Sequence, residues 1–311
     1  MQTVTLTKLS DATADLKFYD FSNIYFGDSS TDSNLCQVID RTWITTTGAV
    51  DLVDKQTVTF MLKPFLTSGD QTQIQVVLSL LAPLANQKMG DLRIEMSNYR
   101  DIDPYVAYKP EGVISSDRAV ATTGSLADRM IVMPGGTDTA FQMQVLSTND
   151  GKTVVWDTGS HPIELSEYLM TWGAELKTGV DTEFTGAFGL GERVDEFMIR
   201  DGVYSFWNRD NPNIEENGKL PGKNNYGTHP LIAWKSPVGT FVSTFMLNAA
   251  ANDVIISNDM TLGQISMDQI SVGGNFDLYI SEGAFPDDVV KSYQNLVGKP
   301  VLVPEWLLGW N

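Results

Sequence analysis

Arg209 and Asp210 stand side by side at the start of the most unusual stretch of this sequence, NRDNPNIEENGKLPGKNN, which runs from Asn208 to Asn225. The stretch is flanked by two apolar-aromatic segments, VYSFW (203–207) and YGTHPLIAW (226–234). Its 18 residues, rich in Asn, Gly and Pro, exceed an ordinary connection, and loops of that length in compact domains are usually functional or disordered. Aromatic residues at both ends, Tyr204, Phe206, Trp207 and Tyr226, would anchor it, and sugar rings stack well on such faces. At the loop root, where backbone is held best, an ionised Asp210 can accept two hydroxyl hydrogen bonds from a pyranose, with Arg209 beside it. The same pair also suits an exposed, salt-bridged loop base, and spacing alone favours that plainer reading.

Other reactive residue types are scarce. The single cysteine, Cys36, excludes an internal disulfide framework and any thiolate metal site. Two histidines, His161 and His229, exclude a histidine-rich metal site; no metal or organic cofactor is implied. His229 precedes a proline and reads as a hydrogen-bonded structural residue; His161 falls in the turn DTGSHP and is expected to be exposed. Cys36 would be reactive only if exposed with a depressed pKa.

The elements that must position this loop are strands. The chain has 311 residues, enough for one large domain or two ordinary ones, and its 42% hydrophobic and 19% charged content is globular. Segments 56–62, 73–81, 91–99, 140–147 and 152–158 alternate or cluster β-branched and apolar residues, and most are closed by turn formers such as PGGTD and STNDGK. Segments 239–247, 253–258 and 275–281 continue the pattern. Short strands without intervening helices predict an all-β, antiparallel sandwich. One helix interrupts it, in FPDDVVKSYQNLVGKP: Pro286 suits its first position, and Asp287 and Asp288 suit the positive end of its dipole. Val289, Val290, Tyr293, Leu296 and Val297 form its apolar stripe, and Gly298 stops it. The apolar run VLVPEWLLGWN then suggests polypeptide continuing beyond it, since an unpaired apolar edge invites aggregation.

A formal net charge of −18 repels phosphate backbones and anionic lipid heads, which argues against nucleic acid as a partner. No apolar stretch reaches the ~20 residues of a membrane-spanning helix. No cationic segment followed by an apolar run opens the sequence, and no Asn-x-Ser/Thr acceptor occurs in it. The acidic surface suits a lysosomal or secreted setting, and these two absences weaken that assignment.

Several segments in order resemble glycoside hydrolase family 31. VVWDTGSHPIELSEYLMTWGAELKTGVDTEFTGAFGLGER (154–193) is similar to the family run in which an FDT strand leads to a Y-G-L-G-E turn. YSFWNRDNP (204–212) resembles its W-N-x-D segment, NNYGTHPLIAW (224–234) its N-L-Y-G-S-H-P, and FMLNAAANDVII (245–256) its L-x-N-S-N-A-M-D-V. GGNFDLYISEGAFPDDVVKSYQNLVGKP (273–300) resembles G-G-x-L-D-F-Y followed by a P, V, Y, G-x-P pattern, and VPEWLLGWN (303–311) resembles the P-x-W-x-L-G-F-x-Q that opens the first strand of the catalytic barrel. The order of matches over 154–311 is far more specific than any one of them, and the first 150 residues match only in strand character. Departures are Ala249 and Ala250 where Ser-Asn is usual, and Arg193 where His often follows the Glu.

The resemblance implies a galactose-mutarotase-like β-sandwich over residues 1–282, then a linker helix and the first strand of a truncated (β/α)8 barrel over 283–311. It implies retaining hydrolysis of terminal α-linked glucose, most nearly maltase-type α-1,4 cleavage, by two aspartates about 5–5.5 Å apart across the anomeric carbon. Both would lie beyond Asn311, on the C-terminal face of the barrel. Asp210 would touch substrate, with Arg209 and Trp207 as its neighbours on the loop, and Glu192 would be structural beside its glycine turn. Trp306 and Trp310 would enter barrel core. The expected partners are an α-glucoside or oligosaccharide and the missing catalytic barrel segment, and this chain alone would be inactive. Competing readings are a non-enzymatic carbohydrate-binding sandwich, a sugar epimerase and a family pseudoenzyme used for assembly.

Overall fold

The computed structural model describes residues 43–64, 73–85, 87–98, 118–136, 139–159, 161, 163–165, 170–180, 186–193, 195–206, 224, 227, 229–259, 261–272, 274 and 276–309. The strands in chain order begin with β1 (Trp43–Thr45), β2 (Thr57–Pro64), β3 (Ile74–Leu80), β4 (Leu92–Asn98) and β5 (Met130–Met133). They continue with β6 (Gln142–Leu146), β7 (Val154–Asp157), β8 (Glu164–Leu165), β9 (Met170–Lys177) and β10 (Ala187–Gly189). The last are β11 (Gly202–Phe206), β12 (Leu231–Lys235), β13 (Phe241–Met246), β14 (Asn252–Asp259), β15 (Gln264–Ser271) and β16 (Phe276–Gly283), followed by helix α1 (Pro286–Val297).

Among the described residues every strand pairing is antiparallel, and the strands form two sheets. One runs β1-β2-β3-β4-β16-β13-β12-β10 and the other β11-β14-β15-β9-β7-β6-β5, with β8 beside β9. Inward positions follow the period of two: Ile74, Val76 and Leu78 on β3 and Trp172, Ala174 and Leu176 on β9 are all buried. Trp156, Trp172 and Phe276 meet at ring-centroid distances of 6.5 and 5.5 Å, which ties the two inner faces together. The all-β sandwich expected from strand spacing is the observed architecture.

β16 is buried along nearly its whole length because both of its faces are covered. Phe276, Leu278 and Ile280 point into the main core. Tyr279 instead joins Leu81, Phe245 and Leu296 under α1. The helix begins as expected, with Pro286 in its first turn and the Asp288 carboxylate accepting from the Phe285 amide at 3.0 Å, and Gly298 ends it at φ 92°. The apolar stripe is narrower than expected, since Val290 is exposed and Ser292 is buried.

The buried charges bridge the sheets. Glu282 on β16 accepts from the Ser147 and Thr240 hydroxyls and the Thr148 amide, each at 2.6 Å. The Arg129 guanidinium lies 3.9 Å from the same carboxylate with 1% of its side chain exposed. Burial pulls Arg129 below the usual guanidinium range, opposed by the charges of Glu282 and Asp91.

Past the helix, 301–304 has no regular secondary structure and Glu305–Leu308 forms a 3-10 turn instead of the expected strand. Val301, Leu302, Trp306 and Leu308 are exposed. A barrel strand takes its hydrogen bonds and its dry faces from neighbouring strands, and among the described residues none pairs with this segment. Trp310 lies outside the described residues.

Candidate functional site

The end of β10 enters three consecutive residues with positive φ: Gly189 at 118°, Leu190 at 63° and Gly191 at 78°. Two of these positions accept only glycine. A Cβ on Gly189 would lie 2.2 Å from the Leu231 carbonyl oxygen, and one on Gly191 would lie 2.8 Å from that of Gly227. Leu190 tolerates the left-handed backbone because its side chain is fixed in the core and its amide donates to Leu231 O at 2.8 Å.

This turn grips both ends of the long excursion. At the far end, the Glu192 amide donates to Gly227 O at 3.1 Å, and the Gly227 amide donates to Glu192 Oε2 at 3.2 Å. Arg193 forms an antiparallel bridge with the buried Asn224. At the near end, Arg193 Nη2 donates to Ser205 O at 3.2 Å and Nε to Leu190 O at 2.9 Å. The guanidinium lies 5.1 Å from the ring centroids of both Tyr204 and Phe206. Burial pulls its pKa down to about 10, which leaves it cationic at neutral pH.

Tyr204 and Phe206 anchor the loop root, as expected of aromatics there, but both are buried and present no face to a sugar. The Tyr204 hydroxyl is engaged with the backbone of Arg200, donating to its carbonyl at 2.9 Å and accepting from its amide at 3.0 Å. Trp207, Arg209, Asp210 and Tyr226 lie outside the described residues, as does Cys36. Glu192 is exposed and spends its carboxylate on a backbone amide, a structural use. His229 is exposed, with its ring against Gly227, where a Cβ would approach Cε1 to 2.6 Å.

Arg193 was visible in the sequence only as a departure from a motif, although a cation following a glycine turn beside the alternating YSF strand is a usable signal. His161, expected to be exposed, is not. Its side chain is 11% exposed, lying between Asp268 and Glu175, because the turn that carries it folds back over β9 and β15. A cavity of about 370 Å³ between the 84–87 segment and α1, lined in part by Gln87, Asp288, Lys291 and Lys299, shares no residue with the 189–193 turn. Among the described residues, no group of three or more His, Cys, Asp or Glu is placed to hold a metal ion, and no helix is long and apolar enough to cross a membrane.

No family model matches the chain. A probable alpha/beta-glucosidase of Arthroderma benhamiae is 33% identical over 161 residues, covering 50% of this chain and 17% of that protein. An alpha-glucosidase of Mucor javanicus is 31% identical over 173 residues, covering 55% of this chain and 18% of that protein. A GH31 dextranase of Flavobacterium johnsoniae shares the fold with a TM-score of 0.51 at 14% identity, over 85% of this chain and 29% of that one. The chain spans less than a fifth of the length of these two glucosidase relatives. By these comparisons about half of the chain is similar to part of these glucosidases, and its fold is that of part of a GH31 dextranase.

Proposed function

We propose that this chain is the sandwich part of a retaining α-glucosidase that removes terminal, non-reducing α-linked glucose, with α-1,4 linkages preferred. In this reading residues 1–282 are the sandwich domain, and 283–311 lead into a catalytic barrel. The nucleophile and the acid/base are aspartates of polypeptide beyond Asn311, held about 5–5.5 Å apart at the barrel's C-terminal face. The sandwich lends the pocket the root of its 208–225 excursion, with Asp210 accepting sugar hydroxyls and Arg209 and Trp207 beside it.

The observation that carries this reading is the two-ended grip: one short turn, 189–193, holds Ser205 on one side of the excursion and Asn224 and Gly227 on the other. A loop pinned at both ends can hold a carboxylate in fixed register, which substrate positioning requires. The names of the similar proteins, a probable alpha/beta-glucosidase and an alpha-glucosidase, support the reaction class.

Glucose release from maltose or a chromogenic α-glucoside tests the division of labour. The 311-residue chain alone should show no turnover, and the chain continued through the following polypeptide should. Turnover by the chain alone overturns the placement of the catalytic aspartates. Sugar binding by the chain alone, lost in Trp207→Ala or Asp210→Ala, with no hydrolysis by the longer protein, would favour a carbohydrate-binding sandwich.

A further inference from the structure

His161 lies in the connection between β7 and β8, on the outer face of the second sheet. Its Nδ1 is 2.7 Å from Asp268 Oδ1 on β15, and its Nε2 is 3.1 Å from Glu175 Oε1 on β9. Both neighbours are carboxylates that only accept, so both ring nitrogens must donate, and only the imidazolium does that. A neutral ring can satisfy one carboxylate and turns a lone pair toward the other. The space is shaped for the pair: a Cβ on Gly173, which is in register with Asp268, would lie 2.2 Å from Asp268 Oδ1 and 2.5 Å from His161 Nδ1.

The connection also fastens the two sheets to each other. The His161 amide donates to Thr158 O at 3.0 Å, and two residues further on the Ile163 carbonyl accepts from Trp43 Nε1 of β1, in the opposite sheet, at 2.6 Å. The geometry points to a pH-set clamp: protonated His161 holds the 158–165 connection onto β9 and β15, and loss of its proton loosens the sandwich at that point.

The other titratable groups on this face leave that role to His161. Asp157 of β7, opposite Glu175, is occupied by the Gln144 side chain and the Gly159 amide, both at 2.8 Å. Lys177 of β9 is bonded to Gln264 of β15 at 2.8 Å. Burial pulls the His161 pKa down, but the hydrogen bonds and charges of Asp268 and Glu175 outweigh it and raise the pKa to about 9. The Glu175 carboxyl is correspondingly held below its usual value, chiefly by its bond from His161. A group whose folded pKa is raised contributes fully below its unfolded value, about 6.5 for histidine, and that contribution is lost as pH climbs through about 9. The clamp is thus closed from weakly acid to neutral pH, where both carboxylates are ionised, and opens in alkali.

Two histidines in the chain make the test direct, because in His229→Gln the remaining imidazole signal belongs to His161. Proton–nitrogen NMR of that variant should give a titration midpoint well above 8, close to 9, with both ring nitrogens protonated at neutral pH. A midpoint at or below about 7 overturns the proposal. Thermal melting of His161→Gln against wild type should show a gap of several degrees at about pH 6 that shrinks severalfold by about pH 10. A gap of equal size at both ends of the range would mean a packing role only, and would also overturn it. Gly173→Ala, whose Cβ would press on both Asp268 and His161, should bring the melting curve close to that of His161→Gln without replacing any titratable group.

Discussion

Gly191→Ala isolates the physical demand of the turn that grips the excursion. Its left-handed backbone, at φ 78°, costs an alanine about 1 kcal/mol. The new Cβ would stand 2.8 Å from Gly227 O, some tenths of an ångström inside ordinary contact. Relieving that clash moves Gly227 away from the Glu192 amide, whose bond already measures 3.1 Å, and losing it costs a further ~1 kcal/mol. The expected total is about 2 kcal/mol, read as a lowered urea midpoint with an unchanged slope. Gly239→Ala is the control, since it has φ 84° and nothing within 4 Å of its would-be Cβ, so it pays only the backbone term of about 1 kcal/mol. Hydrogen exchange at Gly227 should quicken in Gly191→Ala and not in Gly239→Ala. If Gly191→Ala costs no more than the control, the turn does not press on Gly227 and the two-ended grip is wrong.

The buried polar bridge between the sheets should be sensitive to a single atom. Glu282→Gln leaves the 1%-exposed Arg129 with only the weaker of its two counter-charges, Asp91, and turns an NH₂ toward groups that now donate, so it should cost about 3 kcal/mol in denaturant unfolding. Thr240→Val removes one donor and should cost about 1 kcal/mol; equal losses in the two variants would show that charge plays no part.

Residues that obey local rules were legible in the sequence. Alternation in 73–81 and 91–99 marks β3 and β4, and the Pro286–Asp288 start with the Gly298 stop marks α1 nearly to the residue. β15 passed unnoticed because an inward position of QISMDQIS is filled by Gln269, which is buried and bonded to Asn252 at 3.2 Å, so the apolar alternation breaks halfway. Sheet order was not legible at all: β4 pairs β16 across some 180 residues, and no local signal encodes such a partner. The same limit hid the site's mechanics. The glycine turn could be matched to a motif, but Arg193 stacked on Tyr204 and Phe206 depends on β11 lying beside it in space. His161 was misjudged for a related reason, since a turn residue becomes buried when carboxylates from two other strands close over it.

The proposed contribution of one loop carboxylate from the sandwich to a sugar pocket is tested most directly by Asp210→Ala in the chain continued through its catalytic polypeptide. Steady-state kinetics on maltose should show kcat/KM falling severalfold, on the order of 10-fold, while melting temperature is kept. Unchanged kcat and KM in a folded variant would contradict it.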